Sequence, residues 1–134
     1  MAVYQHGNRT IAYQIEFAPF SHDLVLLQSS RFNMEFWKPV LSNLRDHTPA
    51  SGRVMVCDWH DGKLDEMKMA EDLVGLIKTL GLNSVHVVAC DDAVDVVAEI
   101  EKLSPGWFEN TLLYPQSVPR PDELSKSIRE FSRI

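Results

Sequence analysis

The sequence predicts an α/β layer protein with a largely parallel sheet. Three observations carry this. A β-hairpin pattern leads the chain, after which apolar runs of strand length alternate with segments of helical spacing. Those runs, such as "DLVLLQ" and "RVMVC", are continuously apolar, as in strands buried on both faces. Strand and helix in strict alternation stack as layers with right-handed crossovers.

The first strands fall at Ala2 to Gln5 and Thr10 to Phe17, joined by His6-Gly7-Asn8-Arg9, where Gly and Asn accept positive φ. Asp23 to Gln28 is the next strand, and "SSRFN" after it is a loop. Trp37, Val40, Leu41 and Leu44 then follow the i, i+3, i+4, i+7 rule. Pro39 is tolerated only in a first turn, so regular helix begins near Trp37 or Lys38. A strand over Arg53 to Cys57 precedes the polar stretch "DWHDGKLDE".

A helix over Glu66 to Leu80 carries the stripe Ala70, Leu73, Val74, Ile77 and Leu80, with Gly81 placed to end it. "SVHVVA" is a strand, Asp92 to Leu103 a helix stopped by Ser104-Pro105-Gly106, and Asn110 to Tyr114 a sixth strand. After Pro115, Pro119 and Pro121, an amphipathic helix within residues 118–134 carries Leu124, Ile128 and Phe131. At 134 residues the whole, 1–134, reads as one domain.

Composition narrows the function. A net charge of -6 with scattered basic residues argues against a nucleic-acid or anionic-membrane surface. No apolar segment approaches the length of a membrane span, and "MAVYQHGNRT" lacks a signal pattern. Cys57 and Cys90 make no disulfide framework, so a reduced, cytoplasmic setting is expected.

In open α/β sheets ligands lie beyond the C-terminal strand ends. Here those ends carry Gln28-Ser29-Ser30, Cys57-Asp58-Trp59-His60, Cys90-Asp91-Asp92 and Tyr114-Pro115-Gln116. Gln28, Ser29, Asp58, His60 and Asp92 are therefore the candidate ligand rim, around Asp91. Cys57, Asp58, His60, Asp61, Cys90, Asp91 and Asp92 could converge on a divalent metal, but no local spacing matches a ligand pattern. Neither metal nor cofactor is expected.

Several segments together resemble the N-terminal half of the α/β-hydrolase superfamily, over roughly residues 2 to 115. "LVLLQSS" and "EFWKPVLSNL" resemble the family's oxyanion-loop strand and the helix after it, and "RVMVCD" resembles the next strand. "AEDLVGLIKTLGLNSVHVVACDDAVDVVAEIEKLSP" parallels its helix, strand, nucleophile elbow and helix. The resemblance implies a truncated α/β-hydrolase-like three-layer sandwich of about six mostly parallel strands. Ala89-Cys90-Asp91-Asp92-Ala93 stands where the family has G-x-S-x-G. Asp91 would thus sit at the nucleophile position, as an aspartate does in haloalkane dehalogenases and epoxide hydrolases, where it forms an ester later cleaved by His-activated water. That position requires positive φ, which Asp tolerates.

The family's His-Gly is Gln28-Ser29 here, and its catalytic His follows an eighth strand, whereas this chain reads to a sixth. Asp91 and Asp92 have a simpler reading, as N-caps of the following helix, worth about 0.5–2 kcal/mol. Cys90 reads as a small turn-filling residue, because neighbouring carboxylates oppose a reactive thiolate. Trp37 belongs to the core on its helical stripe, while the role of Trp59 stays open.

Three functions follow. The first is a non-catalytic protein acting by self-association, partner binding or ligand sensing. The second is a hydrolase with Asp91 as nucleophile, completed by His60 or His47 of a second chain. The third is a small-ligand module on the Gln28, Ser29, Asp58, His60 and Asp91 rim. The edge Asn110 to Tyr114 would be exposed, so either the terminal helix, through Leu124, Ile128 and Phe131, folds back over exposed apolar surface, or edge and helix meet a second copy; the homodimer is favoured, with a protein partner as a further alternative.

Overall fold

The computed structural model of the chain describes residues 2–18, 22–44, 52–60, 65–82 and 84–131. The strands are β1 (Ala2–His6), β2 (Arg9–Ala18), β3 (Leu24–Leu27), β4 (Gly52–Cys57), β5 (His86–Cys90) and β6 (Asn110–Tyr114). The helices are α1 (Lys38–Leu44), entered through a 3-10 turn at Met34–Trp37, then α2 (Glu66–Leu80), α3 (Ala93–Leu103) and α4 (Pro121–Phe131). All six strands join one sheet in the order β1-β2-β4-β3-β5-β6. β1, β2 and β4 pair antiparallel, whereas β4, β3, β5 and β6 run parallel.

The alternation of side chains across the pleat explains the continuous apolar runs. Val25, Leu27, Met55, Val87 and Ala89 face α2 and α3, while Leu24, Leu26, Val54, Val56 and Val88 face α1 and α4. Three layers result, and the central strands are buried on both sides. No helix among the described residues is long and apolar enough to cross a membrane.

Local chemistry sets the element ends. Gly7, at φ 60, opens the two-residue turn between the paired His6 and Arg9; Asn8 does not need positive φ. Asp65 caps α2 by accepting from the Lys68 amide, and Gly81, at φ 64, ends it with its N–H on Lys78 O. The Arg53 guanidinium donates to the carbonyls of Leu80 and Gly81 while paired with the buried Asp23.

α4 folds back over apolar surface of the chain, one of the two courses open to it. It lies beside α1 on one face of the sheet, where Leu124 and Ile128 are fully buried and Phe131 nearly so. Asn43 Nδ2 donates to Ser125 Oγ at 3.3 Å, and Arg129 donates to the Asn43 carbonyl. The apolar stripe of Leu124, Ile128 and Phe131 is thus buried within the chain, against the same cluster as Leu112 and Tyr114 of β6. Ile134 and His47 lie outside the described residues.

At the N-terminal end of the sheet, the His86 ring stacks on His22 with centroids 3.7 Å apart and lies edge-on to Phe131 at 5.4 Å. Burial, and then the neighbouring His22, hold the His86 pKa below the ordinary imidazole value, although Glu109 opposes this. Protonation therefore favours the unfolded chain. The contribution is complete above about pH 6.5 and is lost as pH falls towards the lower folded pKa. Urea midpoints should thus drop between about pH 7.5 and about pH 5, with a smaller drop in His86→Phe. An equal drop in both proteins would mean that His86 is not the titrating group.

Candidate functional site

β5 ends at Cys90, and the chain turns within two residues into α3. The turn is made by Asp91, whose φ of 57 lies in the left-handed region. A non-glycine residue there costs about 1–2 kcal/mol, least for Asn and Asp. The Asp91 amide donates to Tyr114 O at 2.9 Å, and its carbonyl accepts from Val94 N at 3.2 Å. Ala89 and Ala93, both fully buried, flank the turn where strand and helix approach closely. The left-handed backbone that the elbow position requires is therefore present at Asp91.

The side chains overturn the capping reading. Asp92 occupies the residue before α3 but is already helical, at φ -69 and ψ -15, and makes no capping hydrogen bond. A cap needs an extended backbone that folds its carboxylate over the first helical amides. Instead, Asp92 Oδ1 accepts from the Ser30 amide at 2.9 Å and Oδ2 from the Ser30 hydroxyl. Asp91 Oδ2 accepts from Ser29 Oγ at 2.8 Å and lies 3.6 Å from the Arg31 guanidinium. Arg31 Nε reaches back to Ser29 Oγ at 3.4 Å. The two carboxylates thus fasten the Ser29-Ser30-Arg31 loop, at the end of β3, onto the β5–α3 turn.

The expected rim divides. Ser29, Asp91 and Asp92 come together as described. Gln28 does not join them, because its side chain is buried among core groups. Its Nε2 donates to Cys57 O at 2.9 Å, its Oε1 accepts from Trp37 Nε1 at 3.0 Å, and its carbonyl accepts from Trp59 Nε1 at 3.0 Å. Trp59 is accordingly a core residue. Asp58 accepts from the Met34 amide at 2.8 Å and so supports the 3-10 turn before α1. Asp58 and His60 line a separate cavity of about 390 Å³ beside Arg9 and Asp72. A shallow cavity of about 200 Å³ at Asp91 and Asp92 is bordered instead by Pro115 and Gln116.

Sequence reasoning placed Ser30 at a strand end but left it off the rim, and missed Arg31. A doubled serine at one strand end and a doubled aspartate at another was the available signal, but it acquires meaning only once β3 and β5 are neighbours.

Both cysteines are free and buried. Burial, reinforced by Asp91, pushes Cys90 up to about 12, and burial together with Asp58 raises Cys57 far above the usual range. Among the described residues no three His, Cys, Asp or Glu side chains are grouped to hold a metal ion, and Asp61 lies outside them. Asp91 is hydrogen-bonded to a hydroxyl and ion-paired with a guanidinium, with no imidazole among its described partners. His22 and His86 belong to the opposite end of the sheet.

No protein-family model matches the sequence. No curated protein matches it either. Solved structures do. AqDC, a protein of recognition and ring-cleavage of the Pseudomonas quinolone signal, superposes with a TM-score of 0.73 at 16% identity, over 96% of this chain and 51% of its own. MGS-M2, an α/β-hydrolase enzyme from a Medee basin deep-sea metagenome library, gives 0.68 at 13%, over 84% and 43%. The haloalkane dehalogenase DatA from Agrobacterium tumefaciens gives 0.66 at 14%, over 85% and 41%. The chain has the α/β-hydrolase fold and spans about half the length of these structures. At such identities the likeness is one of fold.

Proposed function

We propose that this is a non-catalytic protein of α/β-hydrolase fold, in which the elbow carboxylates have become a structural latch and which works by association. One observation carries the reading. The Asp91 oxygen that faces the neighbouring loop accepts the Ser29 hydroxyl at 2.8 Å, beside Arg31, so loop and elbow are tied to each other. A nucleophile needs an oxygen aimed at a substrate carbon, and then an imidazole to activate water against the ester. Asp91 instead has donors from its own chain.

The test compares wild type with Asp91→Asn on chromogenic esters, epoxides and haloalkanes. Asparagine keeps the left-handed turn and still accepts from Ser29. The expected result is no turnover above that of the variant. Turnover that disappears with Asp91→Asn would overturn the reading.

The left-handed backbone of Asp91 favours a second reading, a carboxylate nucleophile whose histidine comes from another chain. It requires the turnover that the first reading excludes, so the same assay decides between them.

A further inference from the structure

We propose that the contact of Phe131 with the stacked His22 and His86 rings is a pH-operated catch. Protonation of His86 releases the Phe131 end of α4 from the sheet. The catch goes beyond the association reading and holds whether or not Asp91 turns over a substrate. Three rings meet at the N-terminal end of β3 and β5. His22 and His86 lie 3.7 Å apart and 4° from parallel, and Phe131 stands at 65° to His86. His86 is 1% exposed and Phe131 8% exposed, so the contact is shielded from solvent.

The surroundings of His86 suit only its neutral form. Nε2 lies 3.5 Å from the Glu109 carboxylate, an acceptor, and so carries the one proton of the neutral ring. A second proton has to go on Nδ1, which is buried and has no hydrogen-bond partner among the described residues. A buried, charged N–H without an acceptor is costly. His22, stacked on the ring, is so close that at most one of the two imidazoles tolerates a charge. The other charged groups near the contact are engaged elsewhere. Asp23, ahead of β3, is held by Arg53, and Arg129 of α4 donates to the Asn43 carbonyl. Burial first, and then His22, disfavours the charged ring, while Glu109 opposes them.

Relief comes most cheaply at α4. β5 is held on both sides, by β3 and β6, and the His86 amide donates to Asp23 O at 2.8 Å. α4 joins no ladder. The apolar packing of Leu124, Ile128 and Phe131 holds it, with Asn43 bonded to Ser125 and Arg129. Lifting Phe131 admits water to the ring and leaves the strands paired. The opened imidazole regains its ordinary value near about 6.5, above that of the closed form, so proton uptake drives opening. The hold on α4 is complete above about pH 6.5 and is lost as pH falls towards the lower value of the closed form.

The experiment is amide hydrogen exchange at about pH 7.5 and about pH 5, corrected for the intrinsic effect of pH. Protection of the amides from Ile128 to Phe131 should fall by between about threefold and about thirtyfold, the upper limit being what one ordinary imidazole supplies at the lower pH. The amides of β3 and β5 should keep their protection. His86→Phe retains a ring against His22 and Phe131 but cannot titrate, and should hold α4 closed at both pH values. Glu109→Gln removes the group that favours the charged ring. Its loss at low pH should therefore exceed that of wild type, an effect that a merely structural Glu109 would not give. Unchanged α4 protection in wild type, the same loss in His86→Phe, a matching loss in β3 and β5, or no greater loss in Glu109→Gln would overturn the catch.

Discussion

Arg9→Ala is expected to destabilise the protein by about 3 kcal/mol, lowering Tm by about 10 °C. Arg9 begins β2, and its Nε and Nη2 donate to the two carboxylate oxygens of Asp72 in α2 at 2.6 and 2.8 Å. The Asp72 side chain is 1% exposed and that of Arg9 28% exposed. The pair itself contributes little net stability, because both charges lose water. Its removal from one side is different: Asp72 would keep a buried charge with its fork gone, a loss of about 3–5 kcal/mol. Partial exposure of Arg9 lets water relieve some of this, hence the lower end of the range. Arg9→Lys should recover only part, since a point charge cannot make the bidentate contact. Arg9→Met with Asp72→Leu should lie close to wild type. Urea denaturation of the four proteins measures the coupling, and a loss under about 1 kcal/mol for Arg9→Ala would show that Asp72 is hydrated.

Gln28→Leu is the second large effect, at about 3 kcal/mol. Leucine fills much of the volume of glutamine, so the loss isolates polar satisfaction rather than a cavity. Trp37 Nε1–H and the Cys57 carbonyl would each lose the partner that Gln28 provides, at about 1–3 kcal/mol per buried group. Trp37→Phe in the Gln28→Leu background should therefore cost less than Trp37→Phe alone. Equal stability of Gln28→Leu and wild type would mean that water replaces the amide, and would return Gln28 to the solvent-facing rim.

The helices and strands were legible because their signals are local. Pro39 marked the start of α1, Gly81 marked the end of α2, and the apolar runs of β3 to β5 announced double-sided burial. The positive φ of Asp91 was legible only through the resemblance of Ala89 to Ala93 to the hydrolase elbow, whose central position requires it. Gln28 was misplaced for a physical reason: a polar residue after a buried strand reads as rim, yet the indole N–H of Trp37 made it a core acceptor. The inward stripe of α4 was visible in the sequence, but the surface it would cover was not.

Sequence alone determined the layers and the core faces, because each follows from spacing over a few residues, whereas the left-handed turn was implied by the resemblance to the hydrolase elbow. Tertiary structure decided what the carboxylates do. Ser29 and Asp91 are 62 positions apart, as are Ser30 and Asp92, and they meet only because β3 and β5 lie side by side. A cap and a latch require the same residue types at the same place in the chain. They differ in which donors stand within hydrogen-bond reach, and that is set by strand order rather than by local propensity.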